Sequence, residues 1–100
     1  MKNKTYIYAL KDPITKKIRY IGKANNPVDR LYKHLADKKT NHRTCWIKSL
    51  KSRNLKPVLE ILAIVDRIDW VFWEKHYISL YDNLVNGTLG GDGLNEKVVY

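Results

Sequence analysis

The sequence predicts a small α/β domain of the α+β type, in which a hairpin and one further strand meet three helices. Three observations lead there. Two short runs rich in β-branched and aromatic residues, TYIYAL at 5–10 and KIRYIG at 17–22, flank the polar segment KDPITK. A nearly unbroken apolar run, VLEILAIV, occupies residues 58–65. Around it, three stretches carry apolar residues at helical spacing.

Taken in order, the first two runs form a hairpin whose long turn carries Pro13. The tripeptide NNP follows, with Asn26 as N-cap and Pro27 at the first helical position. Val28, Leu31 and Leu35 then set out a helix over residues 27–37. The segment KKTNH breaks it. A second helix places Trp46, Ile47 and Leu50 on one side and Lys48, Lys51 and Arg53 on the other, a basic face suited to phosphates or simply to solvent. NLKP ends that helix, and the apolar run at 58–65 reads as a core strand covered on both faces. A third helix spans residues 69–81 with Asp69 as its cap, and the rest is glycine-rich loop and tail, loosely ordered from about residue 88. One hundred residues with 44% hydrophobic content suit a single domain over 1–100.

Charge is distributed unevenly along this chain. Of the formal net charge of +9, residues 1–56 carry +13 and residues 57–100 carry −4. A concentrated basic half suits a polyanion such as nucleic acid, where lysine and arginine displace condensed counterions. The single cysteine, Cys45, excludes an internal disulfide framework and a Cys-rich zinc site, so a reducing, intracellular and cytoplasmic setting is expected. No apolar run has the length of a signal-peptide core or a membrane span, so a soluble chain without a membrane partner is expected.

One acid lies where an acid is costly. On a helical wheel, Trp70, Trp73, Tyr77, Ile78 and Tyr81 share one arc of the third helix and Glu74 falls inside it, while Lys75, His76 and Ser79 point away. A carboxylate there needs a cation or several donors. Either it is a buried salt bridge or tyrosine-bonded acid, or it floors a cleft where Mg²⁺ takes its other ligands from water and substrate phosphate. Arg30 and His34 lie four residues apart beside the apolar stripe of the first helix. They are either an ordinary polar flank or a phosphate-binding arginine next to a proton-transferring histidine.

With Tyr6-Ile7-Tyr8 on one strand, Tyr20-Ile21-Gly22 on the next, and Arg30, His34, Glu74 and Asn86 following in order, the chain resembles the GIY-YIG nuclease family over nearly its whole length. YIGKANNPVDRLYKH resembles the second motif running into the arginine helix, WEKHYI the glutamate helix, and LVNG the segment bearing the asparagine. The first motif departs from the family at Tyr6, where glycine is usual. The resemblance implies a three-stranded antiparallel sheet flanked by three helices, and metal-dependent hydrolysis of DNA. It further implies one Mg²⁺ or Mn²⁺ held by Glu74, Arg30 on the phosphate, Tyr8 as general base on water, and Tyr20 orienting water or phosphate, the two tyrosines being exchangeable. Lys23 or His34 would adjust or relay the tyrosine proton, and Asn86 would position a group near metal or phosphate or simply close a loop.

Gly22 is expected at a strand end where backbone approaches something closely. The expected DNA contacts are Gly22, Lys23, Arg30, His42 in the loop before the second helix, and Lys48, Lys51 and Arg53. His76 and Cys45 are read as structural, and Tyr6, Tyr32, Tyr77 and Tyr81 as the rim of a small core. The resemblance implies double-stranded DNA as the partner, no small-molecule cofactor and weak intrinsic sequence preference. The closest functional type is a small stand-alone endonuclease of phage or mobile-element origin, similar to the catalytic domains of homing endonucleases. The alternatives are a catalytically silent basic module that binds DNA or RNA, and a protein-interaction domain with a relic site.

Overall fold

A computed structural model describes residues 3–86. The glycine-rich tail, and with it the full 1–100 extent of the expected domain, lies outside the described residues. Strands β1 (Lys4–Lys11), β2 (Ile18–Ala24) and β3 (Val58–Asp66) form one sheet in the order β2-β1-β3, antiparallel throughout. Helices α1 (Pro27–Ala36) and α2 (His42–Ser52) lie between β2 and β3, and α3 (Trp70–Ser79) follows a short 3-10 turn, Arg67–Asp69. The α+β arrangement expected from the sequence is therefore the one observed.

Local chemistry sets the element boundaries. Asp12 accepts the backbone N–H groups of Ile14 (2.8 Å) and Thr15 (3.0 Å), which closes the hairpin turn and holds its carboxyl below the usual range. Asn26 caps α1 by accepting from the Asp29 N–H at 3.1 Å, with Pro27 in the first turn as the sequence predicts. Asn41 and Thr44 form a reciprocal capping box, each side chain accepting the other's backbone N–H, at 2.9 and 3.0 Å. That box starts α2 at His42, one turn earlier than the apolar spacing suggests, so His42 belongs to the helix and not to the loop before it. Asp69 stands at the cap of α3 without a side-chain cap bond, and α3 stops at Ser79, short of Tyr81.

The strand covered on both faces is β1, not β3. Ile7, Tyr8, Ala9 and Leu10 are all 0% exposed. Tyr8 and Leu10 face a cluster with Ala24, Trp46, Ile47, Leu50 and Val85, against which Leu31 and Leu35 of α1 also pack. Ile7 and Ala9 face the opposite cluster with Ile21, Val65 and Ile78. The apolar run at 58–65 is instead an edge strand, with Val58, Ile61 and Ile64 at 42, 44 and 50% exposed. Its β-branched residues suit an extended backbone whether or not a helix covers them. The other edge, along β2, is bordered by the segment after α3, where the Val85 N–H donates to the Arg19 carbonyl at 2.6 Å.

These two strands should respond differently to substitution. Leu10→Ala is expected to cost about 2–5 kcal/mol through cavity formation, whereas Ile64→Lys should stay within roughly 0.5 kcal/mol as a surface change. Urea unfolding of both variants checks the assignment of centre and edge.

Candidate active site

Register decides which side chains meet. Tyr8 pairs with Gly22 and Leu10 with Tyr20, so Tyr8, Tyr20 and Gly22 share one face of the sheet, while Ile7, Ile21 and Lys23 share the other. β2 continues through Gly22 to Ala24, so this glycine lies inside the strand and not at its end. The close approach is real, however. A Cβ at Gly22 would stand 2.7 Å from the Tyr8 hydroxyl oxygen, 2.8 Å from its Cζ and 3.0 Å from Cε2 of Tyr20.

On that face α1 delivers His34. Contrary to a position on a polar flank, His34 is only 3% exposed, and Val28 is the residue of α1 left outside, at 55%. The Tyr8 hydroxyl and Nε2 of His34 are 2.6 Å apart, and the ring centroids of Tyr20 and His34 are 5.0 Å apart, edge to face. Burial, helped by the positive charges of Arg43 and Arg30, pushes the His34 imidazole down to about 3, so it is neutral at physiological pH. Burial also pushes the Tyr8 phenol far above its ordinary value. Tyr20 adds to that shift, while the charge and hydrogen bond of Arg30 oppose it. The Tyr8 hydroxyl therefore lies among the imidazole, the Tyr20 hydroxyl and the Arg30 guanidinium, and since an arginine only donates, the Tyr8 oxygen is the acceptor toward Arg30. The result is a hydroxyl–imidazole pair bordered by an exposed guanidinium and the half-buried ring of Tyr20.

The two tyrosines differ in exposure. Tyr8 is fully enclosed, so the ring that can meet water from outside is Tyr20. Lys23 takes no part in the cluster: its ammonium lies 4.6 Å from the ring centroid of Trp70, on the α3 side of the sheet. Asn86 spends its side chain on β2, accepting the Ile21 N–H at 3.0 Å and donating to the Ile21 carbonyl at 2.6 Å. It locks the residue between Tyr20 and Gly22.

Glu74 is buried as the wheel predicts, at 7% exposed, one turn from Trp70 and Ile78 on the inner side of α3, which packs on the Ile7 and Ile21 face of the sheet, the side of Lys23 and not that of Tyr8 and Tyr20. Among the described residues no group of three or more His, Cys, Asp and Glu side chains is placed to enclose a metal. A single buried carboxylate side chain can serve a hard cation that keeps several waters and completes its shell with phosphate oxygens.

Of the expected DNA contacts, His42 and Lys48 are exposed on α2 and Arg53 is exposed at its C-cap, where its Nε donates to the Ser49 carbonyl, while the Lys51 ammonium is engaged by the Leu35 carbonyl. Cys45 is exposed, so the structural role expected for it has no core contact behind it. His76 is exposed as well, with its ring against Trp73 and Tyr77. The residue the sequence reading passes over is Arg43. It pairs with Asp37, lies 5.8 Å from the ring centroid of Tyr20, and acts on His34. Its signal in the sequence is modest: a cation one place beyond His42, in a helix that begins ahead of its apolar spacing.

The sequence model of the GIY-YIG catalytic domain matches residues 4–87. No curated protein and no solved structure matches the chain.

Two outcomes test this geometry. Gly22→Ala should destabilise the domain by about 1–3 kcal/mol through overpacking against a tyrosine that cannot retreat, as read by thermal unfolding. For His34, the unfolded chain binds a proton near 6.5 and the folded one only near about 3, so the unfolded state holds more protons between those values. Stability is therefore complete above pH 6.5 and falls as pH is lowered, by up to roughly 1.4 kcal/mol per unit from this one group. Asp12 and Asp37, whose folded values lie below 3.8, add their loss only further down. Melts between pH 6.5 and 4 should slope in the wild type and flatten in His34→Gln.

Proposed function

Because the chain belongs to the GIY-YIG nuclease family and is therefore a nuclease, a hydrolase of phosphodiester bonds, we propose that it is a divalent-metal-dependent endonuclease of double-stranded DNA. The observation that carries this reading is the enclosed Tyr8–His34 pair, with Arg30 and Tyr20 at its border. Family membership sets aside the silent binding module as the main alternative.

Hydrolysis needs an activated water and stabilisation of charge on the phosphoryl oxygens. In this reading water gives a proton to the Tyr20 oxygen as Tyr20 passes its own to Tyr8, and Tyr8 passes its own to Nε2 of His34. The products of that relay are a hydroxide aimed at phosphorus and an imidazolium. In the free protein a high phenol and a low imidazole oppose the transfer. An anionic phosphate drawn to Arg30 offsets the positive charges that depress His34, which makes the relay easier when substrate is bound.

Arg30 suits bidentate pairing with the phosphate because it is exposed at the cluster's edge. Asn86 keeps Tyr20 and Gly22 in register by clamping Ile21. Glu74 is the residue whose carboxylate would hold one Mg²⁺ or Mn²⁺, and such an ion would supply Lewis-acid stabilisation of the charge that develops on the phosphate.

Supercoiled plasmid incubated with Mg²⁺ or Mn²⁺ tests the proposal. The wild type should nick it, a chelator should stop nicking, and Tyr8→Phe, Tyr20→Phe and Glu74→Ala should each lower the rate by about 100-fold or more. Circular dichroism must show the variants folded. A folded wild type that leaves plasmid and random-sequence duplex uncut with either metal overturns the reading.

A further inference from the structure

The side of the cluster away from Tyr8 opens into a depression lined by Arg30, Lys33, His34, Asp37, Lys39 and Arg43. Four of these are permanent cations and one is an acid. Asp37 is already engaged: it accepts the Lys39 N–H at 2.9 Å and pairs with Arg43, both charged groups being largely buried. These partners hold its carboxyl below the usual range, the Lys39 N–H foremost, so it stays a fixed anion and the depression keeps an excess of positive charge. Lys33 shares Asp29 at 3.3 Å across exposed side chains, a bond that an incoming anion displaces easily.

Arg43 is held as a ligand-binding arginine is held. One terminal nitrogen faces Asp37, the guanidinium lies against the Tyr20 ring, and Nε is buried with no acceptor among the described residues. A guanidinium fixed in this way has lost its rotamer freedom before any ligand arrives, which favours a tetrahedral oxyanion with several acceptors. By contrast, Lys51 on the outer side of the same helix is tied to a backbone carbonyl.

We propose that this depression is a phosphate-binding cleft, which takes a backbone phosphate of the nucleic acid adjoining the one that is cut. The proposal rests on the nuclease reading. Arg30 links the two places, since it lines the cleft and also acts on Tyr8. Arg43 then anchors the strand while Arg30 meets the reacting phosphate, and Lys39 and Lys33 stand at the cleft's rim.

The test is the binding of a short fluorescent DNA duplex by the full chain in chelator, read by anisotropy over a range of salt. Arg43→Gln and Lys39→Gln should each weaken binding several-fold and reduce the slope of log affinity against log salt by about one, the loss of one phosphate contact. Lys75→Gln, on the exposed side of α3, should leave the slope unchanged. Lys39 is exposed and carries no ion pair among the described residues, so its variant keeps the test open if Arg43→Gln fails to fold. Unchanged slopes in the folded cleft variants, an equal loss in Lys75→Gln, or no duplex binding by the wild type overturns the cleft. Because the readout needs no cutting, unchanged slopes with an active wild type sink the cleft alone, whereas an inactive wild type sinks the nuclease reading and leaves the slopes to decide the cleft.

Discussion

The bond between the Tyr8 hydroxyl and His34 joins the centre of the sheet to the first helix, and the rest of the arrangement is built around it. Tyr8 stands on the middle strand with no exposed surface, so its polar tip must find a partner inside the protein. His34 supplies one only while it is neutral, and its burial next to two arginines keeps it so. The pair also needs room, which comes from the missing side chain of Gly22 on the neighbouring strand. Each of these residues is thereby constrained by the other two. Any shift of strand register by one position would turn Tyr8 to the opposite face and leave the imidazole without its hydroxyl.

Much of the fold was legible in the sequence, for reasons that particular residues make plain. Asn26 and Pro27 marked the start of α1, because an asparagine cap and a first-turn proline act locally and owe little to the rest of the chain. The burial of Glu74 followed from helical periodicity alone. What could not be read was which strand lies in the middle. The run at 58–65 looks more like a core strand than TYIYAL does, yet the second is enclosed and the first is an edge. Periodicity tells which residues share a face, and says nothing about what covers that face. The polar atoms of Tyr8 disguised a core position because their partner lies 26 residues away in sequence.

The site divided along the same line. The resemblance points to Tyr8, Tyr20, Arg30, His34 and Glu74, but a motif carries no geometry. The structure shows how the tyrosines differ, one sealed in and one half-buried, and brings Arg43 into a cluster where no motif had put it. It also shows the contacts of Lys23 and Asn86, one over Trp70 and one along the edge of β2.

The outer edge of β3 has a colloidal consequence. Edge strands commonly discourage intermolecular pairing with charged side chains, but here Glu60 is matched by Lys11 and Asp66 by Lys4, so the local charges are largely spent. What holds two such edges apart is the +9 of the whole chain, a mutual repulsion between copies. A polyanion cancels that repulsion. Molecules gathered along one acidic polymer would approach each other with their sheets still unfinished, and the same lattice of charge that brings them to it removes their reason to stay single.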